Sequence, residues 1–403
     1  MMTPSSVSTS RIPGWIILMG ALTAIAPLSI DMYLPAFPAI AADLSALGRV
    51  ELTLAAFFIG VALGQLFYGP VSDRFGRKPP LYFGLALFAL ASTGATLAQS
   101  IEALVLWRFL QGLGGCAGMV IARAVVRDRC EPQEAAKAFS LLMLVMGLAP
   151  ILAPLLGSFL LKAASWRALF AVLATFSALC LFAIWKTLQE SHDSKNAEPL
   201  HLGRVLRNYA GLLQHRPFMA YTLASGLAFS GMFAYIAGSP FVLMQLHGLT
   251  PQQYGWMFGA NAFGLIAASQ INMILLRRHD MTTLLQAGLI IAASAGVFLL
   301  TLTILQMLTL PLLLVGLFVF TSSMGLIAPN GGAAALADQG EKAGTASALM
   351  GALQFSLATL TGASMSLWHD GSMLPLVAVM AFCGVVSSLL PRLLLKKPAT
   401  VAA

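Results

Sequence analysis

The sequence predicts an all-α integral membrane protein with twelve transmembrane helices in two six-helix halves. Three observations carry that prediction. First, apolar residues (Ala, Val, Ile, Leu, Met, Phe, Trp, Tyr, Cys) make up 58 % of the 403 positions, and only 9 % are charged. Soluble domains carry about 25 % charged residues, and so few charges cannot build a surface that faces water. Second, apolar runs of about 20 residues, the length that spans a bilayer, recur along the whole chain. Third, lysine and arginine fall almost entirely in alternate loops between those runs. This pattern excludes most soluble enzymes, nucleic-acid binders and secreted disulfide scaffolds. A net charge of +8 invites an acidic partner. However, the cations sit in short loops, so no nucleic acid is expected.

The spans fall at 13–36, 52–72, 80–99, 103–124, 138–161, 166–186, 218–246, 254–276, 282–305, 308–330, 343–367 and 374–395. The first has Arg11 ahead of it, as a signal peptide would. Yet the run is long, contains Asp31 and lacks an Ala-x-Ala site, so it reads as an uncleaved span. Pro27, Pro150, Pro154, Gly157 and Pro329 fall inside spans. Neighbouring helices in a bundle satisfy the backbone groups such residues free. The four cysteines (Cys116, Cys130, Cys180, Cys383) lack metal-type spacing and read as reduced structural residues, with no metal site.

Orientation follows from the cations. With the N-terminus inside, nineteen of the 23 lysines and arginines fall inside; only Arg49, Lys162 and Arg167 fall outside, and Arg108 lies within a span. Both termini are then cytoplasmic. The polar segment 191–217 divides a six-span half, 1–190, from a second, 218–403. Within it, Leu202, Val205, Leu206, Tyr209, Leu212 and Leu213 recur at helical spacing, with Arg204, Arg207, Asn208 and His215 on other faces. That pattern fits a helix on the inner membrane surface and equally a solvated linker helix. Two halves joined inside suit a secondary transporter that binds substrate near the midplane between them. The halves do not align residue by residue.

Fourteen of the fifteen acids fall in loops or at span ends, with Asp43, Glu51, Glu102 and Asp370 on the outer side. Asp31 alone lies inside a span. All six histidines lie in loops. A charged group in a span costs about 2.5–3.5 kcal/mol and marks function by default; snorkelling from near the span end is the bland alternative. Arg108 enters the fourth span at a similar depth, both about 8 Å below the outer boundary. If both line one cavity the two can pair, and Asp31 can bind and release a proton as its surroundings change. Arg123 is a second cation in a span, near the inner end, where a surface role also fits.

The loop after the second span reads Gly69-Pro-Val-Ser-Asp73-Arg74-Phe-Gly76-Arg77-Lys78-Pro79. Small residues permit a tight turn, and three cations hold it inside. It resembles the G-x-x-x-D-R-x-G-R-[KR] signature of the major facilitator superfamily. That resemblance implies the major facilitator fold and a gating latch formed by Gly69, Asp73, Arg74, Gly76, Arg77 and Lys78 with Asp128 at the end of span four. Leu104-Val-Leu-Trp-Arg108-Phe-Leu-Gln111-Gly112-Leu-Gly114 is similar to the same superfamily's L-x-x-x-R-x-x-Q-G-x-G motif, which implies a part for Arg108 in proton transfer. Ala149-Pro150-Ile-Leu-Ala153-Pro154-Leu-Leu-Gly157-Ser158 is similar to its antiporter motif, with Ala149, Ala153 and Ser158 where glycines are usual. Those replacements leave the direction of transport less defined than the fold.

Ser29-Ile-Asp31-Met-Tyr33-Leu-Pro35 resembles the first span of twelve-span drug:proton antiporters of the Bcr/CflA (bicyclomycin and chloramphenicol resistance) group. The likeness runs on through Trp166-Arg-Ala-Leu-Phe170, Leu223-Ala-Ser-Gly226, Gly231-Met-Phe233 and Gly344-Thr-Ala-Ser347. It implies a monomeric multidrug exporter of the bacterial inner membrane, driven by the proton gradient without a cofactor. Its substrates would be antibiotics of bicyclomycin, sulfonamide or chloramphenicol type. The alternatives are export of a metabolite such as cysteine or small peptides, and uptake by proton symport. No Walker-type run points to ATP. Met-rich and aromatic surfaces suit a promiscuous pocket. Its candidates are Tyr33, Phe57, Met119, Met143, Met146, Phe229, Phe233, Tyr235, Asn261, Asn330, Gln354 and Phe355. Each apolar one could equally be ordinary packing.

Overall fold

The computed structural model describes residues 13–191, 202–340, 343–368 and 370–395. The helices are α1 (Gly14–Asp31), α2 (Phe37–Asp43), α3 (Glu51–Phe75), α4 (Lys78–Thr96), α5 (Ile101–Arg129), α6 (Pro132–Ala163), α7 (Arg167–Thr187), α8 (Leu202–Gln214), α9 (Arg216–Pro240), α10 (Pro251–Leu275), α11 (Met281–Ile304), α12 (Leu310–Leu336), α13 (Ala343–Leu367) and α14 (Leu374–Leu395). A 3₁₀ turn (Leu34–Ala36) joins α1 to α2, and a wider π turn (Phe241–Leu246) prolongs α9. Local chemistry explains several starts. Ser100 accepts a bond from the Ala103 N–H at the head of α5, Thr250 and Gln253 form a capping box on α10, and Asp280 caps α11.

Among the described residues, eleven helical segments are long and apolar enough to cross a membrane. The twelfth span is α4, whose 19 residues include Pro79, Pro80 and several Gly, Ser and Thr. At about 28 Å it is long enough to cross. The short connections 76–77 and 97–100 leave the chain no other way to place α5 antiparallel to α4. Three spans run past the sequence-based limits. The first continues through the turn to Asp43, and α5 and α6 reach Arg129 and back to Pro132. Charged residues end a hydrophobic run but not a helix, because backbone bonds continue wherever φ and ψ allow.

Packing reveals the repeat that the side chains conceal. In the first half α1 packs on α5, α6 and α7, α3 on α5, and α4 on α5 and α7. In the second half α9 packs on α12, α13 and α14, α10 on α12, and α11 on α12 and α14. The two sets correspond helix for helix. The main contacts between halves are α3 on α13 and α6 on α10, a pair that the same correspondence exchanges.

The seam between the halves is closed at the face opposite the basic loops. There the Ser366 hydroxyl donates to Gly48 O at 2.6 Å, and Gln252 Nε2 donates to Ser158 O at 3.1 Å. The Leu34–Ala36 turn packs on α9 and α10, and α2 packs on the Phe241–Leu246 turn. Two cavities at this end, both beside Glu51, measure about 20 and 10 Å³. That is room for about one water each. Meanwhile α5 and α12 pack within their own halves.

The helix α8 forms as its spacing predicts and packs on α9 and α13. Its Leu212 is buried with Phe218, Ala335, Ala346 and Leu349, and the Tyr209 hydroxyl donates to Leu66 O at 3.5 Å. Leu206 and Leu213 remain exposed. One apolar stripe is thus divided between protein and surroundings.

Candidate functional site

The loop between α3 and α4 is a compact ion network. Arg77 is 2 % exposed. Its Nη1 donates to Asp73 at 2.5 Å and to the Ser72 hydroxyl at 2.9 Å. Its Nε and Nη2 reach the Asp128 carboxylate at 2.7 and 3.3 Å. Burial disfavours the Arg77 cation, but the bonds and charges of Asp128 and Asp73 outweigh it and raise its pKa above the ordinary value. Gly76 ends α3 at φ +88°, in the left-handed region that glycine enters freely.

Glu190, beyond the end of α7, completes this network. Its carboxylate accepts from the backbone N–H groups of Arg77 (2.8 Å) and Lys78 (3.0 Å), capping α4. A side chain at Gly76 would meet that carboxylate at 2.8 Å. Sequence reasoning missed Glu190 and Ser72. Glu190 lies over a hundred residues from its partners, and no local pattern links them. Lys78 and Arg74 lie 5.8 and 5.9 Å from the ring centres of Tyr82 and Phe75. Gly69 sits next to Pro70 inside α3 and has open space beside it.

Arg108 is wholly buried. Its Nη2 donates to Ser29 O at 3.0 Å, and its Nη1 donates to Gln111 Oε1. Gln111 in turn donates to the Ser92 hydroxyl at 2.7 Å. The guanidinium lies 4.4 Å from the Phe57 ring centre, 4.7 Å from Tyr33 and 5.8 Å from Phe170, the geometry of cation–π contacts. The Tyr33 hydroxyl bonds Thr53. Among the described residues no bond joins Arg108 to Asp31, so the pair suggested by their equal depth is not formed in this structure. Arg108 grips the backbone of α1 two residues earlier instead.

Asp31 is 5 % exposed. Among the described residues it has no hydrogen-bond or ion-pair partner. The turn that follows it packs on α9 and α10. Tyr235 accepts from Asn261 Nδ2 at 2.7 Å and stacks on Phe258 at 5.5 Å and 16°. The Tyr254 and Ser239 hydroxyls are 3.1 Å apart.

The structure gathers three predicted aromatics at the seam. Phe229, Phe233 and Phe355 lie within 4.6–6.1 Å of one another. Phe58 of α3 joins them, 4.2 Å from Phe233 across the halves. Phe57 instead stands under Arg108. Neighbours on a helix differ by about 100° in direction, and that angle separates the two. Asn330 is 2 % exposed and ties α12 to α10 through Asn272 at 2.6 Å. Gln354 is half-buried against Gly226 of α9. Met119 is buried on α5, and Met146 is half-buried on α6. Met143 lies on α6, but its side chain is outside the described set. Arg123 is exposed and, among the described residues, unpaired.

Within α6, Pro150 and Pro154 interrupt the backbone ladder. Pro154 O would lie 3.4 Å from a methyl at Gly255 of α10, and Gly157 abuts Met32 O, just beyond the end of α1. Glu51 departs from its expected place in an outer loop. It opens α3, is 8 % exposed and lines both small cavities at the closed end of the seam.

The chain matches the family model of the Major Facilitator Superfamily over residues 19–363. It is 37 % identical to an uncharacterised MFS-type transporter, YdgK, of Bacillus subtilis, over 92 % of this chain and 93 % of that protein. It is 31 % identical to a bicyclomycin resistance protein homolog of Haemophilus influenzae, over 93 % and 94 %. It is 30 % identical to the multidrug resistance protein MdtL of Escherichia coli, over 92 % and 93 %. Among solved structures, a D-xylose-proton symporter shares the fold, with a TM-score of 0.72 at 15 % identity over 95 % of this chain and 97 % of that one.

Proposed function

Because the chain belongs to the Major Facilitator Superfamily, we propose that it is a proton-coupled multidrug exporter of the bacterial inner membrane that works by alternating access. Relatives named for bicyclomycin and multidrug resistance, similar over nine-tenths of the chain, support drug export. Bicyclomycin-, sulfonamide- or chloramphenicol-type compounds are the substrate classes proposed.

The observation that carries proton coupling is Asp31, the acid the sequence sets inside a span, buried and, among the described residues, without a partner where the halves meet. Burying a lone carboxylate costs several kcal/mol, so closing the seam over Asp31 favours the neutral acid. Opening the seam hydrates the carboxyl, restores its ordinary acidity and lets it exchange its proton with water. The basic face is taken as cytoplasmic, which makes this structure closed to the outside. Arg108 holds the α1 backbone beside Asp31, and the Arg77–Asp73–Asp128 network latches the cytoplasmic side.

One proton descending 100 mV yields about 2.3 kcal/mol, and one pH unit adds about 1.4 kcal/mol. Together they sustain a drug gradient of about a few hundredfold.

The test is growth of a pump-deficient host on a panel of these antibiotics, with the parent and with Asp31→Asn. The parent raises tolerance to at least one compound, and D31N abolishes proton-driven uphill export. Undiminished export by D31N that still responds to pH sinks the proton reading.

A further inference from the structure

This inference rests on the export reading. We infer that Arg123 receives an anionic group of the substrate in the space between the halves, so that the exporter favours drugs with a carboxylate or an ionised acidic N–H over neutral ones.

The register of α5 aims Arg123 into that space. Gly118 faces α1, where a methyl would stand 2.6 Å from Leu22 O. Asp128 faces the loop after α3, where Arg77 holds it at 2.7 Å. Arg123 is five residues from each, about 140° round the helix in opposite senses. Nearer the closed end, α3 covers this sector: Gly112 abuts Phe57 O, and Gly64 abuts the Cys116 side chain. Toward the basic loops α3 crosses to the α4 side. There the Tyr68 hydroxyl stands 3.1 Å from a methyl built at Gly84, and Arg77 reaches Asp128. The sector is left bare, and Arg123 is exposed. The flanking helices are those that meet the second half, α3 through α13 and α1 through the Leu34–Ala36 turn on α9 and α10. Arg123 therefore looks across the gap.

Holding a cation within a span is costly, and the acids that could offset it are absent or engaged. The helices α9 to α14 contain no Asp or Glu. Asp280 is bound by Thr282 and Thr283, and Asp370 by Ser372. In the first half Arg77 takes Asp73 and Asp128. Arg108 grips Ser29 O, which puts Asp31 about 20 Å toward the closed end, 15 residues along α5. Among the described residues that leaves Asp338, exposed beyond the end of α12. The donors of Arg108 and Arg77 are spent within the protein, whereas the fork of Arg123 is unspent. Such a fork binds a carboxylate through two parallel N–H bonds, and an ionised sulfonamide offers a similar pair of acceptors. Met119, one turn away on nearly the same face, suits the apolar part of such a molecule.

The test compares two forms of one drug. An N-heteroaryl sulfonamide whose N–H is ionised at pH 7.5 is paired with its N-methyl derivative, which cannot ionise. Binding of each to the full-length protein in lipid nanodiscs is measured by equilibrium dialysis, with thermal unfolding as the check on folding. The parent binds the ionised compound more tightly. Arg123→Gln weakens that binding about tenfold and leaves the N-methyl compound within about twofold. Arg123→Lys, which keeps the charge without the planar fork, falls between, and it carries the test should R123Q melt well below the parent. Equal binding of the two compounds by the parent, or equal losses for both in the folded variants, overturns the inference. So does Asp338→Asn reproducing the effect of R123Q, since Arg123 would then serve a contact between the halves. If the parent raises tolerance to no antibiotic of the panel, the functional reading fails. If it exports them and the variants leave the ratio of the two affinities unmoved, only this assignment fails.

Discussion

Gly157 sets how closely the end of α1 meets α6. A methyl at that position would stand 1.9 Å from Met32 O and 2.9 Å from its carbonyl carbon. Ordinary contact begins at 3.4 Å, so Gly157→Ala must separate the helices by about 1.5 Å, and the obstacle is backbone rather than a flexible side-chain tip. Overpacking of this kind costs about 1–3 kcal/mol, and a backbone clash belongs at the upper end. At about 3 kcal/mol, the arrangement seen here is disfavoured about 150-fold relative to one in which the contact is relaxed. Met32 follows Asp31 directly, so the carboxyl moves with it, away from its place between the halves.

The assay is initial drug:proton exchange in liposomes under an imposed pH gradient, with thermal unfolding as the check on folding. G157A is expected to be at least tenfold slower. The control is Gly211→Ala in α8, where nothing lies within 4 Å. There an alanine inside a helix stabilises by about 0.5–1 kcal/mol, and exchange stays within about twofold of the parent. A folded G157A protein that exchanges at the parent rate refutes the reasoning, because the α1–α6 approach would then not position the carboxyl.

Two further outcomes follow from the Arg77 network and the α11 cap. Arg77→Gln leaves Asp128 without its cation and lowers stability by about 3–5 kcal/mol; Arg77→Lys, lacking the planar fork, recovers less than half of the loss, as thermal unfolding of both variants will measure. Asp280 is held well below the usual carboxylate range by the Thr282 hydroxyl, then by the hydroxyl and N–H of Thr283. A lowered folded pKa means that its stabilisation is complete above the ordinary carboxylate value, near 4, and is lost as pH falls through the folded value. The melting advantage of the parent over Asp280→Asn is therefore constant from pH 8 to 5 and shrinks below pH 4.

The fold was legible wherever hydrophobicity alone decides it. Eleven helices announce themselves by length and composition, and the cation bias pairs them into loops. The weakly apolar α4 is recognisable mainly from its short connections. Side-chain direction was harder to read. Asp73, Arg77 and Asp128 come together as their motif implies, because two of them share one turn and the third closes the neighbouring helix. Asp31 and Arg108 each stand out as charges among apolar residues. Their equal depth nevertheless says nothing about azimuth, and they turn to different neighbours. One position of difference likewise places Phe57 beside Arg108 and Phe58 among the aromatics of the seam. Glu190 and Glu51 read as loop acids because their burial depends on chain segments far away in sequence.

The break that follows Asp31 has a counterpart. In each half the first helix loses its regular form near a proline at the same face: α1 gives way to the Leu34–Ala36 turn around Pro35, and α9 passes at Pro240 into the Phe241–Leu246 turn. Proline withdraws a backbone donor and disfavours helix in the residue before it, so these ends are softer than the helices behind them. The repeat therefore places two pliable segments opposite each other, and they are packed across the seam, α9 on the first turn and α2 on the second. Rigid helices would have to part along their whole length to open such a seam. Softened ends can separate first, exposing Asp31 immediately behind them while α3 and α13 stay in contact. On this arrangement the carboxyl meets water at the first stage of opening. If Asp31 carries the proton, as proposed, its exchange with that water precedes full separation of the halves.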